Sequence, residues 1–155
     1  MQIHLLAVGE RMPEWVEAGF REYAARLPAH CRLLLREIPA GRRTKGADLA
    51  RLTREEGERL LAAVAKGARI IALDRAGREL ATEELAAELK AQMARGDDLA
   101  LLIGGPEGLS DECLARAQAR WSLSRLTLAH PLVRVVVAEQ LYRAWSILNN
   151  LPYHR

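Results

Sequence analysis

Five short apolar runs, each separated from the next by a stretch of helical character, constrain this chain more than any other feature. Residues 2–8 (QIHLLAV), 32–38 (RLLLREI), 69–73 (RIIAL), 98–103 (DLALLI) and 122–128 (SLSRLTL) read as buried strands: they are short, aliphatic and bounded by polar or Gly/Pro punctuation. Between them, Trp15, Gly19, Tyr23 and Leu27 recur on one helical face, with Pro28 as its stop. Residues 47–66 predict an amphipathic helix that turns Leu49, Leu52, Leu60 and Val64 inward and ends at Gly67. Thr82 is placed to cap a third helix, with Glu83 and Glu84 in its first turn and Gly96 at its end. Ser110 and Asp111 open a fourth, and Pro131 precedes a long final helix reaching about Asn149. This alternation predicts an α/β fold, a mainly parallel sheet with helices on both faces. Without a linker, repeat or low-complexity stretch, residues 1–155 are expected to form a single domain. Ligands in such sheets bind beyond the carboxyl ends of the strands. Three ends stand out: Leu73-Asp74, Gly104-Gly105 and Leu128-Ala129-His130.

Several function classes are excluded. No apolar run approaches the roughly 20 residues of a membrane span, and MQIHLLAVGE lacks the basic start of a signal peptide. A soluble, cytoplasmic protein is expected, with Cys31 and Cys113 as reduced, buried thiols. His4, His30, His130 and His154 show neither HExxH nor Cys/His spacing, and there is no GxSxG elbow, so neither a metal nor a serine nucleophile is expected. A net charge of +3 permits an anionic partner without demanding one.

The segment LLIGGPEGLS (101–110) places adjacent glycines at a strand end, where backbone and ligand can approach closely. It fits neither GxGxxG nor a P-loop, and a tight turn without a ligand is the plain alternative. In the final helix, Glu139, Gln140, Arg143, Ser146 and Asn150 share one side, and the rest is broadly apolar. Arg134 falls within that apolar face. It either snorkels to water or is held at a subunit or ligand boundary. The tail Tyr153-His154-Arg155 is either an idle terminus or, with its aromatic ring, a group that titrates near neutrality and a planar cation, a set of parts suited to holding a base and handling its proton. The loop Arg42-Arg43-Thr44-Lys45 suits RNA phosphates or simple solvation.

LLIGGPEGLS, WSLSxLTLxHPLVRVxVAEQLYRAWSI and the closing NxPYHR closely resemble the RlmH family, the 23S rRNA pseudouridine N3-methyltransferases of the SPOUT superfamily. AVGxxMPxWVxxGFxEY and EIPAGxRxK extend the likeness essentially from end to end. Ala129 departs from the pattern, where proline is expected in many members. The resemblance implies a SPOUT-type α/β knot, a deep trefoil in the C-terminal part, and a homodimer packed near the first and last helices. It implies S-adenosylmethionine as cofactor, held at Leu73, Gly105, Ser124, Arg125, Leu126, Thr127, Leu128 and Ala129. It further implies a pseudouridine of 23S rRNA on the assembled 70S ribosome as substrate. His154 is then the candidate proton acceptor, Tyr153 and Arg155 position base or phosphate, and Arg134 belongs to a shared dimer site. Two other readings stay open: a SPOUT methyltransferase for another RNA nucleotide, and a ribosome-binding factor without turnover.

Overall fold

A computed structural model describes residues 1–155. Strands β1 (Gln2–Val8), β2 (Arg32–Ile38), β3 (Arg69–Glu79), β4 (Leu99–Ile103) and β5 (Ala119–Ser122) form one sheet in the order β2-β1-β4-β3-β5, every pairing parallel. Helices α1 (Glu14–Ala24), α2 (Leu49–Ala62), α3 (Thr82–Arg95), α4 (Asp111–Arg116) and α5 (His130–Leu148) cover both faces. Period-two alternation sorts the strand side chains between two cores. Ile3, Leu5, Leu99, Leu101 and Ile103 meet Phe20, Leu89, Val137 and Leu141 of α1, α3 and α5. Leu6, Val8, Ala100 and Leu102 meet Leu60 and Cys113 of α2 and α4. Both faces of β1 and β4 are therefore buried, as their unbroken apolar sequences require.

The local sequence explains most boundaries. Asp48 accepts from the Arg51 N–H at the start of α2, and Ser110 accepts from the Cys113 N–H at the start of α4. Gly96 ends α3 in the left-handed region, φ 81°.

Five expectations are corrected. Thr82 is the first residue of α3 rather than its cap; the Glu84 carboxylate accepts from the Ala81 N–H, and the Thr82 hydroxyl bonds the Gln140 side chain. Trp15 is 59% exposed, because α1 buries Val16 and Phe20 instead, and Leu49 is likewise exposed at the start of α2. β3 continues past Leu73 to Glu79 through a bulge against Trp121. The strand expected at 122–128 lies at Ala119–Ser122. Gln118 anchors it by accepting from the Ile70 N–H through its side chain and donating its own N–H to the Ile70 carbonyl. Beyond it, Ser122 Oγ donates to the Ser124 carbonyl and Ser124 Oγ accepts from the Leu126 N–H. These serine turns compete with the ladder and end the strand.

The sheet reverses direction of growth between β1 and β4, since the chain adds β2 on one side and β3 on the other. The crevice past the carboxyl ends of those two strands is the expected ligand position.

Candidate active site

Beside that crevice, past the carboxyl ends of β3, β4 and β5, lies a cleft of about 540 Å³, within the range of roughly 300–1,000 Å³ usual for small-molecule sites. Three segments wall it: Leu73–Arg75 from the bulged end of β3, the turn from Ile103 through Gly108 after β4, and the loop between β5 and α5. Of the residues implied as cofactor contacts, Leu73, Gly105, Ser124, Leu126, Thr127 and Leu128 line it together. Arg125 does not line it; its side chain is 87% exposed and approaches Glu79 at 3.9 Å. Ala129 precedes α5 and is also outside the lining.

The turn is shaped for close approach. A Cβ on Gly104 would lie 2.3 Å from the Gly108 backbone, so no side chain fits there. The Gly108 N–H closes the turn onto the Gly105 carbonyl at 2.9 Å. Opposite, Leu126 is 73% exposed on the cleft wall. An exposed apolar wall facing bare backbone suits a flat, partly apolar ligand that also carries hydrogen-bonding groups. S-adenosylmethionine has both an adenine ring and polar ends, so the residues present fit it.

Behind His130, which lines the cleft, lies a buried polar cluster. Arg134 is 1% exposed, which removes the snorkelling alternative. Its Nη1 donates to Glu37 Oε2 at 2.7 Å and its Nη2 to the Gly9 carbonyl at 2.8 Å. The same Nη2 lies 3.4 Å from His130 Nε2. Burial, then the Arg134 cation, pushes the His130 pKa below its ordinary value, against a weaker opposing bond to the Gly104 backbone. A neutral imidazole follows, with Nε2 the acceptor facing Arg134. The start of α5 is thereby tied to the ends of β1, β2 and β4. Sequence reasoning placed His130 at a ligand-facing strand end and tested it as a metal ligand, but missed its link to Arg134; the spacing of four between them on one helix was the available signal.

The tail lies elsewhere on the protomer. Tyr153 Oη donates to Glu139 Oε1 at 3.0 Å, and its ring packs edge-on to Tyr142 and beneath Arg143. His154 Nε2 is 3.1 Å from Glu83 Oε1 on α3, and Arg155 is exposed. Ser146, expected on a polar face, is fully buried and donates to the Arg143 carbonyl. None of Tyr153, His154 and Arg155 lines the cleft. The anchors Glu139 and Arg143 lie nine and thirteen residues beyond His130, about 13–20 Å along the helix. No group of three or more His, Cys, Asp or Glu side chains is placed to hold a metal ion, and no helix is long and apolar enough to cross a membrane.

The sequence matches the family described as "Predicted SPOUT methyltransferase" over residues 1–154. It is 57% identical over 155 residues, all of both chains, to a protein of Methylococcus capsulatus named "Ribosomal RNA large subunit methyltransferase H". A protein of the same name from Thioalkalivibrio sulfidiphilus is 60% identical, covering all of this chain and 99% of the relative. The fold is similar to the solved structure of a probable methylase family protein from Haemophilus influenzae, with TM-score 0.55 and 15% identity over 99% of this chain and 70% of that one.

Proposed function

The chain belongs to the SPOUT methyltransferase family, and from that membership we propose that it is an S-adenosylmethionine-dependent methyltransferase of large-subunit ribosomal RNA. Its substrate is N3 of a pseudouridine in 23S rRNA on the assembled 70S ribosome, and it works in the cytoplasm as a homodimer. The observation that carries the reading is the cleft past the ends of β3, β4 and β5, lined by Leu73, Gly105 and five residues of the 123–128 loop. The names of the two full-length relatives support the RNA class.

Leu73, Gly105, Ser124, Leu126, Thr127 and Leu128 hold the cofactor, largely through backbone N–H and C=O groups. Bound there, the cofactor supplies a methyl group already activated by its sulfonium. The protein's work is to align the nucleophilic nitrogen with that methyl group and to take the imide proton from N3. His154 is the candidate acceptor, with Tyr153 and Arg155 positioning base or phosphate. Arg134 acts through Gly9 and His130, holding the His130 side of the cleft in place.

A tail that lines no part of its own cleft points to a site completed by a second copy. Trp15 on α1 and Leu132 on the first turn of α5 are exposed large apolar residues, 59% and 38% accessible, and suit burial in a dimer. The loop after edge strand β5 also returns the chain to the middle of the sheet, where His130 meets Gly104 and approaches Arg134. That return supports the threading of a deep trefoil knot.

The test is methyl transfer from labelled S-adenosylmethionine to 70S ribosomes lacking the modification, with free 23S rRNA beside them and the product nucleoside identified by mass spectrometry. Label in N3-methylpseudouridine on 70S particles is expected. Label in another nucleoside would move the substrate, and absence of cofactor binding would leave a ribosome-binding factor without turnover.

A further inference from the structure

The basic loop between β2 and α2 suits RNA phosphates from sequence, yet Arg43 turns inward. Its Nη1 bonds the Glu56 carboxylate and the Gly41 carbonyl. Its Nη2 bridges Glu56 Oε1 at 2.8 Å and Glu107 Oε2 at 2.5 Å. Glu56 is 2% exposed and also accepts from the Gly41 N–H at 2.8 Å. Burial raises the pKa of this carboxyl, but Arg43 and Gly41 together hold it below the usual carboxylate range. One guanidinium therefore clamps a buried carboxylate of α2 to a side chain of the Gly104–Gly108 turn.

Gly105 rests directly on the clamp. A Cβ there would meet Glu56 Oε1 at 2.9 Å and Arg43 Nη2 at 3.4 Å. The turn has few side chains of its own to fix it: three of its five residues are glycine, and Glu107 is its only charged one. Backbone groups that bind a ligand must be held within about 0.5 Å. The Arg43–Glu107 bond is the side-chain tether that does this. Lysine, a point charge on a flexible stem, cannot grip both carboxylates in the same way.

We propose that Arg43 is a positioning residue for the cofactor-binding turn rather than a phosphate contact, acting through its bridge from Glu56 to Glu107. The inference rests on the placement of the cofactor at Gly105 given above. Arg42 and Lys45, both exposed, keep their side chains free for RNA.

Calorimetric binding of S-adenosylmethionine in the absence of any RNA tests it, in the wild type and in Glu107→Gln, Arg43→Lys and Arg42→Gln. Glu107→Gln leaves the buried Arg43–Glu56 pair intact and removes no cation, so neither unfolding nor a lost phosphate contact accounts for its effect. Glu107→Gln and Arg43→Lys are expected to weaken Kd about tenfold each, and their double variant to be no worse than about the weaker single. Arg42→Gln, a charge change on the adjacent exposed residue, is expected to stay within about twofold. Tight wild-type binding with Glu107→Gln and Arg43→Lys unchanged would overturn the inference while leaving the methyltransferase reading intact. Failure of the wild type itself to bind would overturn both.

Discussion

Arg134 Nη1 lies 2.7 Å from the Glu37 carboxylate, joining a fully buried cation on α5 to a side chain on β2 that is 32% exposed. Removing the acid leaves a buried guanidinium with only the Gly9 carbonyl and His130 for partners. Breaking a fully buried pair costs about 3–5 kcal/mol, and the partial exposure of Glu37 lowers that. Glu37→Ala is expected to destabilise the protein by about 2–3 kcal/mol in urea unfolding. Pairing Glu37→Leu with Arg134→Met should cost less than the single change, because no uncompensated charge remains.

His130 makes stability depend on pH with a definite sign. Its folded pKa is held below its ordinary 6.5 by burial and by Arg134. The unfolded chain therefore binds the proton more readily, and stability rises with pH across that interval. The contribution of the neutral ring is complete above pH 6.5 and is lost as pH falls below it toward the folded pKa. Glu56, Glu139 and Asp98 have depressed carboxyl pKa values and act only at lower pH. Thermal unfolding of wild type and His130→Asn between pH 8 and pH 5 should show the wild-type curve falling more steeply below pH 6.5.

Leu126 separates binding from stability. At 73% exposure it contributes little to folding, and Leu126→Ala should change unfolding free energy by no more than about 0.5 kcal/mol. As an apolar wall of the cleft it should matter to the cofactor. Burying a leucine side chain is worth about 1.5–3 kcal/mol, so partial burial predicts a Kd for S-adenosylmethionine about tenfold weaker by calorimetry.

His154 separates chemistry from binding. It lies outside the lining of its own cleft and is assigned to the proton of the substrate rather than to the cofactor, so His154→Ala should leave cofactor affinity unchanged. Loss of a positioned proton acceptor should lower kcat by about 10²–10⁴-fold, read as methyl transfer to ribosomes at saturating cofactor. Tyr153→Phe, which loses the bond to Glu139, should have a smaller effect because the ring stays packed on Tyr142.

The sequence made the layered architecture readable because buried parallel strands need aliphatic runs, and β1 and β4 have them. It misplaced β5 because SLSRLTL has a strand's alternation, while Ser122 and Ser124 spend their hydroxyls on local turns. The glycine turn was legible as a place of close approach, because adjacent glycines after LLI leave the strand end without side chains, although a tight turn alone accounts for them too. Its support was not. Glu56 sits among Glu55 and Glu58 in a charged helix, and only the tertiary position of Gly105 and Arg43 singles it out. Arg134 was visible as an anomaly, but its partners are 97 and 125 residues away in sequence.

The most direct test of the composite site uses mixed dimers of two inactive chains. Gly104→Ala places a Cβ against the Gly108 backbone and should abolish cofactor binding, while His154→Ala removes the proposed proton acceptor. Dissociated and reassembled together, they form dimers in which an intact cleft of one chain faces an intact tail of the other. Methyl transfer to ribosomes, absent from either parent, is predicted to appear on mixing, at about half the wild-type rate per mixed dimer because one of two sites is whole. A mixture as inactive as its parents would contradict the assignment of the tail to the partner's cleft.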